Sequence, residues 1–270
     1  MISDYSRFKR LIVFGCSYTS YMWPTWANVI SKNMPHAEFY NFGKIGCGNL
    51  FISMRISEIS KRLKFNSDDL VIVMWTSMTR EDRHIDGEWQ GQGNIYNQSL
   101  YPRDFVRDFC QPDFFLIRDT GLMNLTQGYM KTLPCTTIFL NAWPWKSSDH
   151  VDSKATDFYT DYIVNDIEHI YKDVLNTPTD LRSYINSRLA IEPELNVGHA
   201  YINKGKLFDD HHPNPVLVRD YLQEIGFELS ANTREYILTS QEKLSKIKHE
   251  DEINLVFPDC INDIPYPGIF

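Results

Sequence analysis

The sequence predicts an α/β protein of three layers, in which helices cover both faces of a central parallel sheet. Three short, largely apolar runs, at residues 10–14, 70–75 and 136–140, have the length and the branched side chains of buried parallel strands. Segments with helical spacing separate these runs along the chain. Strands that alternate with helices are typical of βαβ units with right-handed crossovers. We therefore expect an α/β/α sandwich.

Each element follows from its own local pattern. The run at 10–14 ends at Gly15, and the clearest helix carries an apolar stripe from Ile52 to Leu63 with charged residues on its other face. In chain order the predicted elements are a strand at 10–14, a helix at 23–34, a strand at 38–42, a helix at 52–63, a strand at 70–75, a helix at 114–133, a strand at 136–140, and helices at 155–175, 181–189, 215–229 and 233–249.

The length of 270 residues allows one elaborated domain or two small ones. The segment from about 80 to 113 shows no clean period, and it is predicted to be a long irregular insertion, a feature that is more often functional than idle. We predict a single domain over residues 1–230 that contains this insertion. Residues 231–270 are predicted to form a C-terminal helical extension and tail.

Composition excludes several classes of function. The formal net charge of −8 disfavours nucleic acid as the main ligand, because binding to phosphates needs a basic face. No apolar stretch approaches the length of a membrane span, so no membrane partner is expected. The five cysteines are scattered and the first residues lack the pattern of a signal peptide. These features predict a protein that stays in the reducing cytoplasm.

The first candidate for chemistry is the segment that follows the first predicted strand, Gly15-Cys16-Ser17-Tyr18-Thr19. Ligands of open parallel sheets bind at the carboxyl ends of the strands, so a serine here is well placed to attack an acyl carbon. Taken alone, Ser17 is equally typical of a helix N-cap. Cys16 is an alternative nucleophile, although a free cysteine more often serves as a small buried apolar residue.

The second candidate is Asp209-Asp210-His211-His212-Pro213, near the other end of the chain. A serine nucleophile needs a base to take its proton and a carboxylate to orient that base, and an aspartate three residues before a histidine supplies both. A polar turn that caps the following helix is the simpler interpretation. A metal site is a further alternative, but adjacent histidines tend to point apart, and we predict no metal.

The third candidate is a glycine-rich turn after the second strand, residues 41–49. Its backbone N–H groups are able to bind an oxyanion or a phosphate. The spacing of its glycines does not fit a dinucleotide-binding fingerprint, and no Gly-Lys-Ser or Gly-Lys-Thr is present for a P-loop. No cofactor is expected.

Taken in this order, the three segments resemble those of the SGNH hydrolases, also called GDSL-type esterases, over residues 9 to about 229. The family's nucleophile block is matched by Ser17, with Cys16 where aspartate is usual. The resemblance implies that the N–H groups of Ser17 and Gly46 are oxyanion donors, that His212 is the base and that Asp209 orients it. The fold it implies is the SGNH or flavodoxin-like α/β/α sandwich.

The third block of that family is not matched. Its Gly-x-Asn-Asp is replaced here by residues 75–80, so the side-chain amide of the oxyanion hole is missing. Ser77 and Arg80 are the residues able to donate in its place. This form resembles divergent members of the family met in phage genomes, so a virion location is expected if a phage encodes the chain. A catalytically weak or inactive SGNH-fold module for binding or structure is the alternative function.

The expected substrate is a small acyl ester, above all an acetyl group on a carbohydrate. Aromatic side chains able to stack on sugar rings stand in or near the candidate segments. The residues predicted to bind substrate are Tyr18, Asn49, Trp89, Trp143 and Trp145. For each tryptophan the alternative is packing against the core.

Overall fold

A four-stranded parallel sheet forms the centre of the protein, in the strand order β2-β1-β3-β6. A computed structural model describes residues 4–96, 101–145, 159–175, 178–192 and 199–260. The four strands are β1 (Arg10–Gly15), β2 (Glu38–Gly43), β3 (Asp69–Trp75) and β6 (Thr136–Asn141). Every residue of β3 is buried, because this strand has neighbours on both sides and helices above and below. The expected parallel sheet is confirmed.

Ten helices lie within the described residues, and eight of them form two groups on the sheet. They are α1 (Trp26–Asn33), α2 (Asn49–Leu63), α3 (Arg103–Phe109), α4 (Pro112–Lys131), α5 (Asp161–Ile170), α6 (Lys172–Leu175), α7 (Leu181–Ile191), α8 (Pro215–Glu224), α9 (Ala231–Lys246) and α10 (Glu250–Val256). Helices α1, α7, α8 and α9 contact one another in one group, and α2, α4, α5 and α6 form the other. The connections β1-α1-β2 and β2-α2-β3 step across the sheet in opposite directions, so right-handed crossovers place α1 and α2 on opposite faces.

The segment predicted as an irregular insertion is largely regular. It contains an antiparallel hairpin of β4 (Arg80–Ile85) and β5 (Glu88–Asn94), followed by α3 and the start of α4. The hairpin turns at Asp86 and Gly87, which both have positive φ angles, as a two-residue turn requires. The prediction of irregular structure was wrong because β5, rich in Gly and Gln, lacks the alternation of apolar and polar residues that marks a strand.

A second hairpin, which the sequence analysis missed, precedes the predicted Asp-His segment. Its strands are β7 (His199–Asn203) and β8 (Lys206–Asp210), joined by Lys204 and Gly205 with φ angles of 49° and 79°. Positive φ at both central residues is typical of a type I′ turn. The hairpin carries the chain directly to His212.

The C-terminal extension packs onto the α/β domain. Helix α9 contacts α1 and α8, and α10 contacts β7. The Asn33 side chain ties the start of α9 to α1, since its Oδ1 accepts from the Ser230 backbone N–H at 2.8 Å and from the Thr233 hydroxyl at 3.1 Å. Helix α10 was not predicted. The boundary at residue 230 stays a prediction, and residues 261–270 lie outside the described part of the chain.

Other helix predictions agree with the structure in place but not in length. The predicted helix at 155–175 appears as α5 and α6, while its first residues, up to 158, fall outside the described ranges. The helix at 215–229 ends at Glu224, and the helix at 233–249 is displaced to 231–246. Among the described residues, no helix is both long and apolar enough to cross a membrane.

Candidate active site

Ser17 lies in a tight turn at the carboxyl end of β1. The backbone N–H groups of Thr19 and Ser20 both donate to the Cys16 carbonyl, at 2.9 and 3.1 Å. The turn is anchored further on, because the Thr19 carbonyl accepts from the Thr25 hydroxyl at 2.8 Å. The nucleophile candidate is thus held by backbone bonds at the sheet edge where ligands of such folds bind.

Two alternatives for this turn are resolved by the geometry. Helix α1 starts at Trp26 and its N-cap is Thr25, whose backbone N–H is bound by Asn28 Oδ1 at 2.9 Å. Ser17 is therefore not the N-cap of that helix. Cys16 is completely buried, so its thiol lacks the access that a nucleophile needs.

His212 faces the same small cavity as Ser17. This cavity has a free volume of about 10 Å³, which is room for about one water molecule. It is lined by Ser17, Tyr18, Tyr21, Trp23, Thr25, His212, Pro213 and Val218. No hydrogen bond joins the Ser17 hydroxyl to the His212 ring among the described residues, and in serine hydrolases without substrate this contact is often long. The two candidates that are far apart in sequence thus meet at one pocket.

The carboxylate that contacts His212 is Asp210 and not Asp209, the residue predicted to orient it. His212 Nδ1 lies 2.7 Å from Asp210 Oδ1, and the His212 backbone N–H donates to the same oxygen at 2.9 Å. Asp209 precedes it on β8, where it pairs with Ala200 and is exposed. Successive residues of a strand point to opposite faces, so only one of the two adjacent aspartates is able to face the histidine.

Asp210 is 2% exposed and remains ionised. Burial by itself raises the pKa of its carboxyl, but the hydrogen bonds from His212 and Tyr21 outweigh burial and bring the pKa below its usual value. A buried carboxylate on Nδ1 selects the histidine tautomer whose Nε2 is free to accept a proton. The pair therefore has the arrangement of a general base and its orienting carboxylate.

Gly46 lies under the β4–β5 hairpin. Its φ angle is +75°, and its carbonyl accepts from the Gly93 N–H at 2.8 Å. A Cβ atom here would approach the Gly91 carbonyl oxygen to 2.8 Å, so both the backbone conformation and the close approach require glycine. The loop is also tied to β1, because the Lys44 N–H donates to the Gly15 carbonyl at 3.0 Å. Donation from the Gly46 N–H to an oxyanion stays a prediction.

Ser77 and Arg80 follow the end of β3, as expected, and both are buried. The Arg80 guanidinium donates to the Cys47 carbonyl at 3.2 Å and lies over the Trp143 ring, 5.2 Å from its centroid. Arg80 therefore links the glycine-rich loop to the residues after β6. A role for either side chain in oxyanion binding stays a prediction.

Asn49 is a structural residue, contrary to the expectation that it binds substrate. It is completely buried at the start of α2. Its Nδ2 donates to the Thr76 carbonyl at 3.1 Å and to Asp119 Oδ2 at 3.0 Å, while its Oδ1 accepts from the Thr76 N–H at 2.9 Å. These bonds join α2 to the end of β3 and to α4.

The aromatic residues predicted to bind substrate occupy different places. Tyr18 stacks on Trp143 with 4.4 Å between ring centroids, and its ring meets that of His212 edge-on at 5.4 Å. Trp143 is half-buried at this side of the site, and Trp145 is half-buried against the main core. Trp89 lies on the β4–β5 hairpin, where its ring packs edge-on against Phe51 of α2 at 5.8 Å. Trp89 therefore packs against α2, whereas Tyr18 and Trp143 lie beside the pocket.

Two tyrosines that sequence reasoning did not select also contact Asp210. The hydroxyls of Tyr21 and Tyr201 both donate to Asp210 Oδ2, the latter at 3.4 Å. The segment Asn-Lys-Gly-Lys is a signal of a β-hairpin. This signal would have placed Tyr201 on a strand opposite the Asp-His segment. No comparable signal marks Tyr21. Within the described ranges, no group of three or more His, Cys, Asp or Glu side chains is arranged to hold a metal ion.

The fold and the site together describe a three-layer α/β protein with a serine and a histidine–aspartate pair at the carboxyl edge of its sheet. Solved structures to which the chain is similar include a member of the lipolytic G-D-S-L family from Veillonella parvula, 14% identical, with a TM-score of 0.44 over 80% of this chain and 94% of that one. A catalytic mutant of the acetylxylan esterase Axe2 from Geobacillus stearothermophilus is 14% identical, with a TM-score of 0.46 over 82% and 95%.

A third similar structure is LAE5, an α/β hydrolase enzyme from the metagenome of Lake Arreo in Spain. It is 14% identical, with a TM-score of 0.45 over 81% of this chain and 95% of that one. No family model matches the sequence, and no curated protein matches it.

Proposed function

We propose that this protein is a serine ester hydrolase of the SGNH type, with Ser17 as nucleophile, His212 as general base and Asp210 as the carboxylate that orients the base. The observation that carries the proposal is the His212–Asp210 contact of 2.7 Å at a pocket that Ser17 also lines. The buried, ionised Asp210 supports it, because an imidazolium that forms during the reaction is stabilised there.

The reaction proceeds in two halves. The Ser17 hydroxyl oxygen attacks the ester carbonyl carbon while its proton passes to His212 Nε2. The tetrahedral intermediate collapses when His212 returns that proton to the leaving alcohol, which leaves an acyl group on Ser17. Water then attacks the acyl carbon, with His212 again taking and returning the proton, and the carboxylic acid departs.

The developing negative charge on the carbonyl oxygen requires donors. We assign this task to the backbone N–H groups of Ser17 and Gly46, together with Ser77 or Arg80, which stand where the family's asparagine is absent. Loss of one oxyanion donor typically costs on the order of 10²- to 10³-fold in rate, so a slow enzyme is expected.

The substrate is a small acyl ester, with an acetyl group on a carbohydrate as the first choice. The narrow pocket beside Ser17 favours a short acyl chain over a long one. The Tyr18–Trp143 stack beside it offers an apolar wall on which a sugar ring is able to pack.

A fluorophosphonate probe followed by peptide mass spectrometry tests the nucleophile. We expect stoichiometric label on Ser17 of the folded wild type and none on Ser17→Ala. The matched control is Ser20→Ala, because Ser20 lies in the same turn and is also buried. In parallel, p-nitrophenyl acetate and acetylated xylo-oligosaccharides are assayed with wild type, Ser17→Ala and His212→Ala.

Equal turnover in all three proteins, or label that is absent from Ser17, would refute the hydrolase proposal. The second outcome would favour the alternative of an SGNH-fold module for binding or structure. That alternative draws on the replacement of the family's asparagine block by residues 75–80.

A further inference from the structure

Tyr21 contacts both members of the histidine–aspartate pair. Its hydroxyl donates to Asp210 Oδ2, and its ring stacks on the His212 imidazole with 3.7 Å between centroids and 16° between planes. Nothing in the mechanism above uses this residue. It lies four positions after Ser17, so the loop that carries the nucleophile also contacts the base.

The hydrogen bonds to Asp210 fill both of its oxygens. Oδ1 accepts from the backbone N–H and Nδ1 of His212, and Oδ2 accepts from Tyr21 and Tyr201. The four donors come from three segments: the loop after β1, strand β7 and the turn after β8. A carboxylate bound in this way is fixed in both position and rotation.

Tyr21 is present as the protonated donor. Burial, and then the negative charge of Asp210, hold the pKa of its hydroxyl well above the usual value. Among the described residues, the other titratable groups that face this cluster are Tyr18 on the same loop, His199 on β7 and Glu250 on α10. The charge of Glu250 raises the pKa of both Tyr21 and Tyr201.

The surroundings hold the Tyr21 ring in place. The Trp23 ring meets it edge-on at 4.7 Å, and Trp23 Nε1 donates to the Pro213 carbonyl at 3.0 Å. A separate apolar cluster packs behind these rings, and the C-terminal extension supplies most of it. Its buried members are Tyr21, Trp23, Tyr201, Leu244, Ile247, Ile253, Phe257 and Cys260.

We propose that Tyr21 is a positioning residue for the His212–Asp210 pair, whose hydroxyl fixes the carboxylate and whose ring supports the charged imidazole. A role of Tyr21 in catalysis rests on the proposed function, whereas its effect on the His212–Asp210 pair does not. The hydroxyl draws negative charge away from the face of Asp210 that binds His212, and the electron-rich face of the ring attracts an imidazolium stacked on it.

Tyr21→Phe keeps the ring and removes the hydroxyl. More negative charge then remains on Asp210, so the titration midpoint of the His212 ring, followed by NMR of its C–H signals, is expected to rise. His212→Gln identifies the signal among the eight histidines. The matched control is Tyr201→Phe, which removes a longer hydrogen bond to the same oxygen and no stacked ring, so its shift is expected to be less than half as large.

A second variant separates the ring from the hydroxyl. Tyr21→Leu removes both, and loss of the stacked ring is expected to place its midpoint below that of Tyr21→Phe. With p-nitrophenyl acetate, Tyr21→Phe is expected to lower kcat by about tenfold with little change in KM, because orientation of the base acts on the chemical step.

A midpoint of His212 in Tyr21→Phe equal to that of the wild type would overturn the proposal. So would a larger shift in Tyr201→Phe than in Tyr21→Phe. The NMR result is independent of turnover. A protein that hydrolyses none of the esters refutes the hydrolase proposal while the Tyr21 titration still gives its answer.

Discussion

Replacement of Asp210 with asparagine separates the two neighbouring aspartates by function. Asp210 is 2% exposed and accepts two hydrogen bonds from His212, whereas Asp209 is exposed on β8. The amide of Asp210→Asn is nearly isosteric with the carboxylate, and its oxygen is still able to accept both hydrogen bonds from His212. The amide is neutral, however, so the imidazolium that forms when His212 takes the Ser17 proton loses its stabilising charge.

The loss comes from the missing charge. A hydrogen bond to a charged group is worth about 1.5–3 kcal/mol, which predicts a fall in kcat/KM of about 10- to 160-fold at 1.36 kcal/mol per tenfold. The exposed residue Asp209 provides the control, and Asp209→Asn is expected to change kcat/KM by less than about twofold.

Steady-state hydrolysis of p-nitrophenyl acetate measures both variants, and thermal melts check that each is folded. Equal loss of activity in Asp209→Asn and Asp210→Asn would refute this assignment, because it would restore the spacing of three residues between aspartate and histidine. Wild-type activity in folded Asp210→Asn would refute it equally.

Further predictions concern stability. Asn49→Ala is expected to lower the free energy of unfolding by about 2–3 kcal/mol in urea melts, because the buried partners of Asn49 lose their hydrogen bonds. An unchanged urea midpoint together with a loss of substrate binding would instead indicate that Asn49 binds substrate. Gly46→Ala is expected to lower the free energy of unfolding by about 1–3 kcal/mol, because Gly46 has a positive φ angle and a Cβ atom there would contact Gly91. Gly128→Ala is the control, and it is expected to be neutral or stabilising because the space around a Cβ at this position in α4 is open. Equal melting midpoints for the two variants would contradict this prediction. Because the pKa of Asp210 is lowered in the folded state, its ionised form stabilises the fold above the usual pKa of a carboxyl and this contribution disappears as the pH falls through the folded value. The difference in Tm between wild type and Asp210→Asn should therefore shrink on acidification below about pH 4, and a constant difference would argue against the ionised pair.

The sheet was predictable from sequence because β1, β3 and β6 are short, largely apolar runs. Strand β3 is flanked on both sides and covered on both faces, so all of its residues are apolar except Asp69 at its start. The β4–β5 hairpin carries no such signal: it lies on the surface of the glycine-rich loop, where close backbone approach at Gly46 and Gly91 takes the place of side-chain alternation. Local periodicity does not record contacts of this kind.

The segments that form the candidate site were predictable from the sequence, but not every residue in them was. Ser17 and His212 were found because short patterns mark the end of β1 and the turn before α8. The choice between Asp209 and Asp210 depends on which face of β8 turns inward, and that is decided by pairing with β7, a strand the sequence analysis missed. Tyr21 and Tyr201 meet only through tertiary packing, so no spacing in the chain connects them.

The apolar cluster behind Tyr21 has a consequence for the order in which the nascent chain becomes competent. The Ser17 loop is among the first parts to be synthesised, yet the rings that hold its Tyr21 are backed by Leu244, Ile253 and Phe257, more than 220 residues later. The sheet is able to form from earlier segments, since domains fold as their chain emerges from the ribosome. The apolar backing of Tyr21 is therefore complete only after α10 has been made, long after the Ser17 loop has been synthesised.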